Sequence, residues 1–164
     1  MITVDAVLRQ QWDAARPDLD LSGMEIVGAL KHACAMLDVL HEPVFEGAAI
    51  TSSEFDLLVH LRHAPEPTIA RRLAVALGRT PAALSKALAK LEARGLVVRQ
   101  GSAADRRAVH VSITDAGAAA VDDVMPKRLA LEASLLADLA PAERTKVADS
   151  LRLLSDLVEA RARS

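Results

Sequence analysis

Between Thr68 and Ile113 the apolar residues keep a helical period through two short segments and then switch to a period of two, with a glycine at each change. Ile69, Leu73 and Leu77 fall at i, i+4 and i+8, and Gly78 follows as a helix-ending glycine, so the spacing predicts a helix over 68–77. Thr80-Pro81 reads as an N-cap followed by proline at the first helical position. Leu84, Leu88 and Leu91 then predict a second helix over 81–93, closed by Gly95. Leu96-Val-Val-Arg-Gln100 and Ala108-Val-His-Val-Ser-Ile113 read as strands, with Val109, Val111 and Ile113 alternating against His110 and Ser112. The polar link 101–107 makes these a hairpin with a charged tip. Two short helices joined by a tight glycine-containing turn form a helix-turn-helix, and a hairpin behind the second helix is a wing.

The charge pattern follows the same boundaries. Residues 71–110 carry nine Lys or Arg against Glu92 and Asp105, a local charge of +7, whereas the rest of the chain sums to −9. A basic module inside an acidic body attracts a polyanion, and a phosphate backbone is the commonest partner. The composition is 51% apolar but only 2% aromatic, rich in the good helix formers Ala and Leu, so the chain is expected to be mainly α with a small β-hairpin wing. One cysteine, Cys34, rules out a disulfide framework within the chain. With no basic segment before an apolar run at the N-terminus and no membrane-length apolar stretch, a cytoplasmic protein without a membrane partner is expected.

The flanks read as helices too. Residues 4–15 form a short helix stopped by Pro17, and 18–22 are a linker with Ser22 as N-cap. Residues 23–41 carry apolar positions at 27, 30, 34, 37 and 40–41. Thr51-Ser-Ser-Glu54 has capping-box spacing and opens a helix at 52–63, with Phe55, Leu58, Val59 and Leu61 inward. A helix from Thr114 to about 138 contains Pro126, which should kink it. Pro141 opens the last helix, where Val147, Leu151, Leu154 and Val158 form a stripe that a second subunit would cover. The divisions are 1–50 for N-terminal dimerisation helices, 51–117 for the winged helix-turn-helix and 118–164 for C-terminal dimerisation helices.

On a helix-turn-helix the second helix enters the major groove, with its N-terminal residues at base edges. The exposed positions of 81–93 then include Ala82, Ala83, Ser85, Lys86, Ala89 and Lys90, small residues that allow close approach and polar ones that bond bases or phosphates. Arg79 and Thr80 sit at the helix start, where phosphate contact is favoured, although Thr80 also serves as a plain N-cap. Arg106 and Arg107 at the wing tip are long, permanently charged and able to reach a minor groove, with Asp105 orienting one of them. Arg71 and Arg72 open the preceding helix and are further backbone candidates or solvated charges. Cys34 on an apolar face reads as a buried, inert thiol. His32, His41, His60, His63 and His110 show no zinc-type spacing, so no metal and no cofactor are expected. There is no phosphate loop, metal triad or nucleophile motif, so an enzyme is not expected. The rival to a DNA-binding protein is a winged-helix protein–protein module, which has no need of the basic charge.

SSEFDLLVHL, ARRLAVALGRTPAALSKALAKLEARGLVVR and ADRRAVHVSITDAG together resemble the winged helix-turn-helix of the MarR family of transcriptional regulators. The resemblance implies an obligate homodimer formed by the first and last helices, and a repressor that a small-molecule ligand releases from DNA. The N-terminal string W-x-x-x-R-P-D-L-D-L-S-x-M-E, from Trp12 to Glu25, is similar to the urate-responsive branch. That similarity implies a site for a small aromatic or anionic effector at Trp12, Asp56 and His63. His63 and Ala87 stand where the branch has two arginines, so the counter-charge for urate itself is missing. The ordinary reading of these residues is Trp12 in a core and Asp56 at the surface.

Overall fold

The computed structural model describes residues 4–64, 68–101 and 109–162. The elements run α1 (Val4–Ala15), α2 (Ser22–His41), a 3-10 turn (Glu42–Phe45), α3 (Ser52–Arg62), β1 (Thr68–Ile69), α4 (Ala70–Ala76), α5 (Pro81–Ala93), β2 (Val97–Gly101), β3 (Val109–Ile113), α6 (Asp115–Leu135) and α7 (Pro141–Ala162). The chain is mainly α with one small antiparallel sheet, as its composition implies. It divides into two compact units, Met1–Val121 and Asp122–Ser164.

In the first unit the core lies where α3, α4, α5 and the sheet meet. Phe55, Leu57, Leu58 and Leu61 of α3, Leu73 and Ala74 of α4, Leu84, Leu88 and Leu91 of α5, and Val97 and Val111 of the sheet are buried. Leu57, which the spacing does not single out, is fully enclosed, while Val59 is only half-buried. Phe45 packs edge-on against Phe55, with centroids 5.8 Å apart at 69°. α1 lies along α2 and is tied to it by the Arg9–Glu25 ion pair at 3.4 Å.

The helix ends follow the local chemistry. Thr51 Oγ1 accepts from Glu54 N at 3.3 Å and Glu54 Oε2 accepts from Thr51 N at 2.9 Å, a complete capping box. Thr80 Oγ1 accepts from Ala83 N at 3.2 Å, with Pro81 in the first turn. Both helices of the helix-turn-helix end in a Schellman arrangement. Arg79 N reaches Ala74 O at 2.9 Å around Gly78 at φ 59°, and Leu96 N reaches Leu91 O at 2.9 Å around Gly95 at φ 70°.

Four expectations are corrected. Thr68 and Ile69 are not helical: they form β1, which pairs with β3 at Thr68↔Val111 and Ile69↔His110, so the wing is a three-stranded sheet in the order β1-β3-β2. Two β-branched residues beside the open edge of β3 gain more from ladder hydrogen bonds than from a first helical turn. Ser22 is the first helical residue rather than the cap, and Asp20 Oδ1 accepts from its amide at 2.9 Å instead. Cys34 is exposed, and so is Trp12, at 44%, because the flank of α2 and the outer side of α1 are not covered within one chain. The fourth is the last element before Pro141: α6 stops at Leu135, three residues short, with Pro126 inside it.

In the second unit α7 has no buried residue, and Val147, Leu151, Leu153, Leu157 and Val158 are all exposed. Among the described residues no helix is long and apolar enough to cross a membrane.

Candidate nucleic-acid interface

α5 is amphipathic in the way a groove-reading helix requires. Leu84, Leu88 and Leu91 face the core, and the opposite side leaves Thr80, Ala82, Ala83, Ser85, Lys86, Ala89 and Lys90 exposed. The alanines keep that face low, so only Ser85 and the two lysines stand out from it. Arg71 and Arg72 on α4 are also exposed. Among the described residues no ion pair holds Arg71, Arg72, Lys86 or Lys90. Arg106 and Arg107, with Asp105, lie outside the described residues.

The remaining basic residues of the module are engaged with the protein. Arg79, expected at a phosphate, donates from Nη2 to Ser53 Oγ at 2.9 Å and to Ser53 O at 3.2 Å. Arg94 donates from Nη1 to Glu54 Oε1 at 2.7 Å and from Nη2 to the Ala49 carbonyl. Arg99 donates from Nε to Glu92 Oε2 at 2.8 Å and from its backbone amide to Glu92 Oε1 at 3.2 Å. The side-chain bond from Arg99 holds the Glu92 carboxyl below its ordinary range. Net charge by itself did not separate these three arginines from the exposed cations, because each partner acid or hydroxyl has to be placed by the fold.

Glu54 has a double role, as cap of α3 and as partner of Arg94. Burial disfavours its charge, but the Thr51 amide and the Arg94 guanidinium outweigh that and lower its pKa from 4.5. A carboxyl depressed in the folded state adds stability above its unfolded pKa, and that stability is lost as pH falls through the folded value. The thermal midpoint of the wild type is therefore expected to drop as pH is lowered below about 4.5, and Glu54→Gln to drop less steeply over the same interval. Parallel slopes in thermal scans from pH 6 to pH 3 would show that this carboxylate contributes nothing to acid sensitivity.

The expected effector residues lie on α1 and α3. Trp12 is on the exposed side of α1, Asp56 is half-buried in α3 and its carbonyl meets His60 Nδ1 at 2.7 Å, and His63 is the exposed C-cap of α3. A cleft of about 500 Å³ between α1 and α2 is lined instead by Arg9, Gln10, Asp13, Glu25 and His32 over an alanine floor. Nothing in the spacing marks that cleft, since it arises from the crossing of two helices. Among the described residues no three His, Cys, Asp or Glu side chains gather into a metal-holding group.

Comparison with known proteins gives consistent results. A family model described as MarR family matches residues 50–108. The HTH-type transcriptional regulator PecS of Dickeya dadantii (strain 3937) is 31% identical over 138 residues, spanning 83% of each chain. The fold is similar to that of S. aureus MepR in its DNA complex, with a TM-score of 0.72, 22% identity and 85% and 99% of the two chains covered. It is also similar to Bordetella bronchiseptica BpsR, whose DNA binding is regulated by 6-hydroxynicotinic acid, with a TM-score of 0.72, 25% identity and 80% and 98% covered.

Proposed function

Because this chain belongs to the MarR family of winged helix-turn-helix transcriptional regulators, we propose that it is a dimeric, sequence-specific DNA-binding repressor released from its operator by a small aromatic or anionic molecule. The observation that carries this reading is the exposed face of α5, where small residues surround Ser85, Lys86 and Lys90 with no acid among them. A protein-docking wing has no use for that arrangement, and the core side of the same helix is fully committed to packing.

In this reading residues 51–117 are the DNA-binding module. Thr80, Ser85, Lys86 and Lys90 meet the major groove, and Arg106 and Arg107 meet the flanking minor groove. Two-fold symmetry of the dimer makes the operator a near-palindrome. Dimerisation is supported by the exposed apolar side chains of α7 and by Ile26, Val27, Met36 and Val39 of α2, which an isolated subunit leaves in water. An effector site that includes Trp12, Asp56 and His63 is supported by the likeness to the urate-responsive branch, and BpsR exemplifies control by a small aromatic acid.

The test is a gel shift with the DNA upstream of the protein's own gene. Arg106→Ala/Arg107→Ala is expected to weaken binding by about tenfold or more and to reduce the salt slope, since up to four phosphate-proximal charges leave the dimer. Unchanged affinity in the double variant removes the wing from the mechanism. Titration of aromatic carboxylic acids against the complex is expected to release the DNA at micromolar to millimolar concentration.

A further inference from the structure

The two arginines that bracket α5 both bond to the start of α3 and the segment just before it. Arg79 immediately precedes the N-cap Thr80, and Arg94 is the C-cap. Arg79 reaches the hydroxyl and the carbonyl of Ser53, and Arg94 reaches the carboxylate of Glu54 and the carbonyl of Ala49. We propose that the turn Thr51–Glu54 is a clamp holding both ends of the recognition helix, with Arg79 and Arg94 as positioning residues for base reading rather than as phosphate contacts. The proposal rests on the DNA-binding reading of α5.

The geometry gives the clamp its leverage. A helix of 13 residues is about 18 Å from end to end. Leu84, Leu88 and Leu91 fix its rotation about its own axis, because they must face the core. They leave the two ends of the helix, at Pro81 and Ala93, to be held by other contacts. A tilt of about 10° moves one end by about 3 Å relative to the other, which is as long as a hydrogen bond. Ser85 would then miss its base edge while the helix stayed folded. Holding both ends to one rigid point suppresses that tilt, and the point itself is rigid because Thr51 and Glu54 cap each other reciprocally. The bonds from Arg79 and Arg94 involve a charged donor, the stronger class of hydrogen bond. Arg79 also lies inside the turn between the two helices.

A phosphate contact and a positioning contact leave different signatures. Removing a phosphate contact weakens binding to every duplex and lowers the salt slope. Removing a positioning contact lowers preference for the specific site and leaves the slope alone. The experiment compares Ser53→Ala, Arg79→Ala, their double variant, Glu54→Gln and Arg94→Met with wild type. Each is tested on the DNA upstream of the protein's own gene and on an unrelated duplex of equal length, over a salt series. Each single variant is expected to lower the ratio of the two affinities by about tenfold, with the slope unchanged within about 0.5. The Ser53→Ala/Arg79→Ala double variant is expected to be no worse than Arg79→Ala, because both remove one interaction. Lys86→Ala serves as the contrast, lowering the slope by about two in the dimer.

A slope lowered by about two in Arg79→Ala, with Ser53→Ala indistinguishable from wild type, would overturn the clamp and return Arg79 to the phosphates. Ser53→Ala and Glu54→Gln keep every basic residue, so they decide the matter even if Arg94→Met does not fold. If the wild type shows no preference for the upstream DNA, the regulatory reading fails first. The clamp is then read from amide exchange in α5, where unaltered protection in Ser53→Ala refutes it.

Discussion

Gly117→Ala is expected to lower the thermal unfolding midpoint by about 6–12 °C, corresponding to about 3 kcal/mol for a chain of this length. A Cβ at position 117 would lie 2.2 Å from the Leu96 carbonyl oxygen, 3.1 Å from its carbon and 2.9 Å from Ile113 Cγ1. Two of those atoms are backbone and cannot turn aside as a side chain can. The carbonyl is also in use, since it accepts from Thr114 N at 3.1 Å. Thr114 ties the same joint from its hydroxyl, donating to Gly95 O at 2.7 Å and accepting from Gly117 N at 3.1 Å. The start of α6, the end of α5 and the base of the wing therefore meet at a point with no room for a methyl group. Relief requires α6 to back away from Leu96, which breaks the Thr114 bonds as well. Gly23, in the first turn of α2, meets nothing within 4 Å, so Gly23→Ala is the control. It is expected to be neutral or to stabilise by up to about 1 kcal/mol through helix propensity. A Gly117→Ala midpoint within 1 °C of wild type in calorimetry would show that this close approach does not exist in solution.

The joint at Gly117 illustrates which parts of the molecule are legible in its sequence. Caps and helix ends are local: Thr51 with Glu54 and Thr80 with Pro81 start helices, the glycines at 78 and 95 close them, and each carries its reason within a few residues. β1 is illegible in the same terms. Thr68 and Ile69 are extended because Val111 and His110 lie beside them, a partner more than forty residues away. The same non-locality separates the basic residues. That the module is basic is plain from the chain, but Arg79 and Arg94 differ from Lys86 only because the fold brings Ser53 and Glu54 to them. Trp12 and Cys34 fail for a further reason. Their helices carry apolar faces that one chain does not bury, so periodicity correctly marks a face to be covered and says nothing of what covers it.

Binding to the DNA upstream of the gene is expected to weaken by roughly ten-thousandfold between 50 and 200 mM salt, with a slope of about −7 in log affinity against log salt. The figure follows from the cations proposed to meet the DNA grooves. Lys86 and Lys90 are exposed on α5, Arg106 and Arg107 are the two cations proposed for the minor groove, and a dimer presents each of the four twice. Each neutralised phosphate contributes about −0.9 to the slope through release of condensed counterions. If Arg79, Arg94 and Arg99 also met the backbone, the slope would approach about −13, because a dimer adds each of those twice as well. Their bonds to Ser53, Glu54 and Glu92 argue for the smaller value. The measurement thus separates three situations with one series of titrations. A slope near −7 fits those four cations alone, and the exposed Arg71 and Arg72, if they also meet the backbone, carry it to about −11. A slope near −13 means that the internal bonds of the arginines open on DNA, which contradicts the clamp. A flat dependence means that the basic face of α5 serves something other than nucleic acid. The acidic remainder of the chain sharpens the contrast, because its net charge of −9 lies outside residues 71–110 and disfavours a polyanion there.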